Sequence, residues 1–153
     1  MMTDESGLID SNVLVYAWWY EAPQNERARQ VRDAAASGDL SACICPQVLQ
    51  EFASVITDSR RYDFPFDSVR AARQVRMYVA CLPMIFPGPY AVELLADLVE
   101  THGMVRQHVH DAALVATMLA NGVTRIYTAN VRDFAMFEEI EAINPFEEPE
   151  EAD

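Results

Sequence analysis

The chain has 153 residues, half of them hydrophobic, and carries 24 acidic against 11 basic side chains for a net charge of −13. Every basic residue is an arginine. Without lysine, a Walker phosphate loop and a Schiff-base enzyme are excluded, and a polybasic nucleic-acid surface is disfavoured because attraction to phosphate scales with the positive field.

Short apolar strands alternate with amphipathic helices along the chain, the pattern of a parallel α/β sheet. A strand at Gly7–Ile9 is followed by helices over residues 12–19 and 24–37, the second closed by Gly38-Asp39. A strand over 41–45 leads into a helix over 47–60, with Pro46 where a first helical residue belongs. A helix over 66–79 precedes a strand over 83–86, and Pro87-Gly88-Pro89 separates that strand from a helix over 89–101. The helix Gln107–Ala120 has Thr117 as its one polar residue after Asp111, which predicts burial nearly all round, and Asn121-Gly122 stops it. A strand over 125–128, a helix over 131–137 and a strand at Glu141–Ile143 complete the order. The expectation is an α/β fold of three layers, with a parallel central sheet of about five strands and helices on both faces. One domain over residues 1–146 is expected, with the acid-rich residues 147–153 expected as a disordered tail.

Three cysteines make an odd, small set, which argues against a disulfide scaffold and for a reducing compartment. Residues 1–7 lack the basic flank of a signal peptide, and the least polar run, 112–120, is too short to span a bilayer. A cytoplasmic location with no membrane contact is expected.

Open parallel sheets carry their sites at the carboxyl ends of strands. Asp10 ends the first strand, in Leu8-Ile9-Asp10-Ser11-Asn12, where an acid can cap a helix or do chemistry. Glu51 lies on a helix whose apolar stripe is Val48, Leu49, Phe52, Val55 and Ile56. At about 100° per residue it sits roughly 100° from the stripe's centre, flanking the buried face, as either a boundary glutamate or a site acid. Asp111 shares a face with Val115 and Met118 at the mouth of a buried helix. A carboxylate there costs several kcal/mol unless it is paired, metal-bound or used as an N-cap. In Tyr127-Thr128-Ala129-Asn130-Val131-Arg132-Asp133-Phe134, Asn130 can ligate a hard cation or simply shape the turn, and Asp133 can curl back toward it.

Asp10, Glu51, Asp111 and Thr128-x-Asn130-x-x-Asp133, in that order on an alternating α/β chain, resemble the PIN-domain family of metal-dependent ribonucleases, most closely the small toxins of VapBC-type toxin–antitoxin pairs. Leu8 to Ala17, Gln47 to Phe52, His110 to Thr117, Thr128 to Phe134 and the closing Ile143-Asn144-Pro145-Phe146 match successive family motifs. The resemblance implies a metal-dependent endoribonuclease that leaves 5′-phosphate and 3′-hydroxyl ends. Asp10, Glu51 and Asp111 would hold Mg²⁺ or Mn²⁺. Thr128 and Asn130 would orient ligands or water, with Asp133 as a fourth acid. It also implies a homodimer and a small cognate antitoxin, whose C-terminal segment the −13 charge predicts to be basic. Many relatives have an acid near Asn130, which leaves the second metal open.

Rival readings are a catalytically inactive PIN-like binding or scaffold protein and a phosphatase-like α/β domain, the latter disfavoured by the missing lysine and by Asn12 at the second position of an Asp-x-Asp pair. His108 and His110 point apart on a helix and lack a cysteine partner at zinc spacing, so zinc is disfavoured. Cys43 and Cys45 face one side of a strand and read as buried thiols. Trp18-Trp19-Tyr20 reads first as core packing and second as an exposed aromatic surface that stacks RNA bases or meets a partner helix. Arg70, Arg73 and Arg76 read as a solvated face rather than a phosphate-binding stripe.

Overall fold

The computed structural model describes residues 5–148. The expected N-terminal segment and acidic tail lie largely outside the described residues. The element order is β1 (Gly7–Ile9), α1 (Ser11–Trp18), α2 (Asn25–Ser37), β2 (Ala42–Cys43), α3 (Pro46–Ile56), α4 (Ser68–Cys81), α5 (Gly88–His102), α6 (Gln107–Ala120), β3 (Arg125–Tyr127), α7 (Val131–Phe134) and β4 (Glu141–Ile143).

The sheet has four strands in the order β2-β1-β3-β4, and every pairing is parallel. This corrects the expected count of about five. The segment over 83–86 reaches β2 only through a single parallel bridge, Ile44 to Met84, held by Ile44 N to Pro83 O and Ile85 N to Ile44 O, each at 2.9 Å. Pro83 and Pro87 flank it and have no N–H to donate, so the ladder cannot lengthen.

Consecutive side chains of a strand point to opposite faces. Leu8 and Ile9 are both fully buried, as are Cys43 and Ile44, so helices cover both faces of the sheet. The core joins these strands to Val13 and Leu14 of α1, Val48, Phe52 and Ile56 of α3, and Val115 and Met118 of α6. Phe52 also meets Tyr78 edge-on at 5.5 Å. A Cβ at Gly7, the first position of β1, would run into the Tyr127 ring of the neighbouring strand, so any side chain there requires that ring to shift.

Helix ends follow local chemistry. α3 stops at Ile56, earlier than the periodicity predicts. The Thr57 hydroxyl turns back to Ala53 O (2.8 Å) and the Asp58 carboxylate takes the Arg60 N–H (2.9 Å), which replaces helical bonds with a side-chain turn. α6 ends at Ala120, with Gly122 at φ 70°, a left-handed conformation open to glycine. α7 is a single turn that relaxes into the short bonds Ala135 N to Arg132 O and Phe137 N to Phe134 O.

Candidate active site

β1 sits between β2 and β3, so the chain leaves it toward one side of the sheet and later returns on the other. This reversal opens a crevice beyond the carboxyl ends of β1 and β3. Register places Ile9 opposite Tyr127, so the next residues, Asp10 and Thr128, are neighbours at its floor. Asp10 N donates to Tyr127 O at 3.0 Å, continuing the ladder by one rung.

The Asp10 side chain is only 7% exposed. It accepts from Ser11 N at 2.8 Å, from the Thr128 hydroxyl at 2.8 Å and from the Asn12 amide at 3.2 Å. Asp10 therefore caps α1 and also enters a tertiary network, so its two readings are compatible. Asn12 ties the network together. Its Nδ2 also donates to Thr128 Oγ1 (3.0 Å) and its Oδ1 accepts from Ala129 N (3.0 Å). Thr128 Oγ1 further accepts from Asn130 N at 3.0 Å. These bonds fix the β3–α7 turn against the start of α1.

Asp10 lines a cleft of about 330 Å³ together with Glu51, Asp111, Asn130 and Asp133. That volume lies within the roughly 300–1,000 Å³ of ordinary ligand sites. Glu51 projects from α3 into solvent and is held by the Ser11 hydroxyl at 3.0 Å and by Gln47 Nε2 at 3.5 Å. Gln47 also donates to His110 O at 3.1 Å, joining α3 to α6. Asp111 does not cap its helix, because α6 begins at Gln107 and carries Asp111 in its second turn. Its carboxylate lies 3.5 Å from His108 Nδ1. Asn130 precedes α7 at φ −104° and makes no side-chain cap, so it is neither left-handed nor capping.

The electrostatics tie the acids to one another. Burial pushes the Asp10 carboxyl up to about 6, the hydrogen bonds from Thr128 and Ser11 oppose the rise, and the charges of Glu51 and Asp111 add to it. Burial also raises Asp111, chiefly with the Asp133 charge and further with Glu51, while His108 pulls it down. Asp10 and Asp111 thus each feel the charge of neighbouring acids from other segments, and among the described residues Arg61 is the one arginine lining the cleft. The donors are hard oxygens, which suit Mg²⁺ or Mn²⁺ and not a thiolate-seeking metal. Among the described residues, however, no three His, Cys, Asp or Glu side chains are gathered closely enough to form a metal shell as they stand. A separate cavity of about 210 Å³ beside Cys45, Ala91, Leu95 and Ala113 has no carboxylate in its lining and cannot do the same chemistry.

All six residues singled out by sequence meet here. Asp10, Glu51, Asp111, Asn130 and Asp133 line the cleft, and Thr128 lies beneath them. Ser11, Asn12 and Gln47 had no role assigned. Gln47 and Glu51 stand one helical turn apart, a signal readable in sequence, whereas the reach of Asn12 to residues 128 and 129 is purely tertiary. Of the other candidates, Cys43 and Cys45 are buried thiols pushed up to about 12 and 11 by desolvation, with no thiolate to offer. Arg70 pairs with Asp67 at 3.3 Å and lies over the Phe66 ring, as on a solvated face.

The sequence profile of the PIN domain matches residues 7–140. No curated protein matches the chain. Among solved structures, DNA-bound VapBC from Salmonella typhimurium is similar at TM-score 0.67 and 16% identity, covering 95% of this chain and 99% of that one. VapBC2 from Rickettsia felis, bound to a DNA fragment from their promoter, is similar at TM-score 0.65 and 15% identity over 91% and 98% of the two chains. The sarcin–ricin-loop-cleaving toxin VapC20 of Mycobacterium tuberculosis is similar at TM-score 0.61 and 15% identity, covering 87% and 97%. At these identities the likeness is one of fold.

Proposed function

This chain belongs to the PIN-domain family, and on that premise we propose that it is a divalent-metal-dependent endoribonuclease, the VapC-type toxin of a toxin–antitoxin pair. The observation that carries the reading is the meeting of Asp10, Glu51, Asp111 and Asp133, from four separated segments, in one cleft at the switch point of the sheet. The family profile, and the fold shared with VapBC toxins and with an RNA-cleaving relative, support it.

Asp10, Glu51 and Asp111 would hold Mg²⁺ or Mn²⁺. Such an ion, when bound, supplies positive charge against the scissile phosphate and lowers the pKa of a coordinated water. Thr128 and the Ser11 N–H aim the Asp10 carboxylate into the cleft, and Ser11 and Gln47 steer Glu51. Asn130 and Asp133 form the far wall, where an amide oxygen and a carboxylate can orient a water. Closing the shell calls for Glu51, which is exposed, and Asp111, which is half-buried, to turn inward, a move that mutual repulsion opposes until a cation arrives. The reading includes a cytoplasmic protein with one domain over residues 1–146, a homodimer, and an antitoxin whose basic C-terminal segment enters the acidic cleft. Among the described residues no helix is long and apolar enough to cross a membrane.

The test is cleavage of a mixed RNA pool with Mg²⁺ or Mn²⁺ by the wild type, Asp10→Ala and Asp111→Ala. Metal-dependent cleavage lost in both variants supports the reading, and undiminished cleavage by both removes the site. The scaffold reading draws on the ungathered acids. It predicts no calorimetric uptake of either ion.

A further inference from the structure

Beside the acidic cleft runs an aromatic trough of about 340 Å³ that shares Trp19, Arg61 and Tyr62 with it. Its floor is rigid. Tyr62 meets Trp18 edge-on at 5.0 Å and Trp19 at 5.2 Å, and Trp18 meets Phe66 at 5.4 Å. Its rim is open, with Phe64 90% and Tyr20 77% exposed. The Arg29 guanidinium lies 5.4 Å from the centre of the Tyr20 ring. Two large rings kept in water, over a fixed aromatic floor and continuous with a candidate catalytic cleft, are a surface built to be covered by something flat.

We propose that this trough is a base-stacking subsite of the nuclease cleft, taking a nucleobase of single-stranded RNA adjacent to the phosphodiester at Asp10, Glu51 and Asp111. The inference rests on the nuclease reading for the identity of the strand. Net charge is its first support. A chain at −13 without lysine gains little from phosphate contacts beyond those of Arg61 and a bound cation, and stacking adds affinity without calling for a positive surface. The trough's own lining is the second support. Glu21 and Asp63 stand on it and repel a phosphate, while the rings accept the face of any base. Arg61, at the junction of trough and cleft, is placed to meet the backbone between the stacked base and the scissile bond.

The experiment compares a short fluorescein-labelled oligouridylate with an abasic oligomer bearing the same number of phosphates. Both bind the full chain in chelator, where the proposed nuclease cuts nothing. The wild type should bind the base-bearing strand about tenfold tighter. Phe64→Ala and Tyr20→Ala should each weaken that binding about five- to twentyfold, leave abasic binding and melting temperature unchanged, and raise KM rather than lower kcat in metal-supported cleavage. Equal binding of the two oligomers overturns the subsite. So does binding in both variants within about twofold of wild type, or a loss confined to capture of a basic peptide, which would make the trough a protein-docking surface. A protein that cleaves nothing yet shows base-dependent binding sensitive to Phe64 and Tyr20 would retain the subsite and lose the nuclease reading.

Discussion

Asp10 and Glu51 face the same cleft but are held in opposite ways. Asp10 is buried at the end of a central strand, and three protein donors satisfy its oxygens. Glu51 stands in solvent on α3 and takes its bonds from a serine hydroxyl and a glutamine amide. Asp111 is intermediate, half-buried and beside His108. The fold fixes the inner acid before any ligand arrives, while the outer acids keep the freedom to adjust. Such a division suits a site that must bring like charges together only when a cation compensates them. It also stores instability in the inner acid, because a carboxyl raised from 3.8 to about 6 is disfavoured at neutral pH by about 3 kcal/mol.

The largest expected effect comes from removing the fixed acid. Asp10→Ala should lower RNA cleavage about a thousandfold in steady-state assays. Its folding stability should change by no more than about 2 kcal/mol, since the lost N-cap is offset by relief of a buried charge. Next comes the pH dependence of metal-free protein. Because the folded-state pKa of Asp10 lies above its ordinary value, its contribution to stability is complete below pH 3.8 and is lost as pH rises through about 6. Denaturant titrations in chelator should therefore show Asp10 removing about 3 kcal/mol between those limits, a slope absent from Asp10→Ala. If both proteins share one profile, the inner acid is not strained.

Thr128→Val tests the orientation of Asp10 without touching an acid. It removes one of the two donors to Asp10 Oδ2, the other being the Asn12 amide, and takes the Thr128 acceptor from the Asn130 N–H and from Asn12 Nδ2. Cleavage should fall about ten- to a hundredfold, stability by about 1–3 kcal/mol, and the acid limb of the pH–rate profile should move upward as the bond that lowers Asp10 disappears. The smallest effect is expected on the outer wall. Ser11→Ala frees Glu51 of one solvent-exposed bond and should cost only a few-fold in rate, with about 1 kcal/mol or less in stability. A Ser11→Ala loss as large as that of Thr128→Val would erase the difference between the two walls.

Strand ends, helix punctuation and the order of the acids were legible because each depends on a few adjacent residues. Asp10 after Leu8-Ile9, Pro46 at a helix start and Asn121-Gly122 at a helix end all stand where local rules put them. Less legible was anything settled by a competing partner. Helix α3 yields to the Asp58 side chain, and the segment at Met84 contributes one bridge because prolines flank it. Asp111, an acid before a buried apolar run, has the local look of a cap, but α6 begins four residues earlier and carries it in the second turn. The bonds of Asn12 across the switch point reach residues more than a hundred positions away, and no periodicity encodes them. Trp18, Trp19 and Tyr20 read as one aromatic run, yet the first two form a floor and the third a rim.

Calorimetric titration of the metal-free protein with Mn²⁺ near pH 6 tests most directly whether the inner and outer acids form one site. The account predicts saturable uptake with release of a proton from Asp10, weakened at least about tenfold by either Asp10→Asn or Asp111→Asn, and little further loss when the two are combined. Uptake by both single variants with wild-type affinity and wild-type proton release would contradict it.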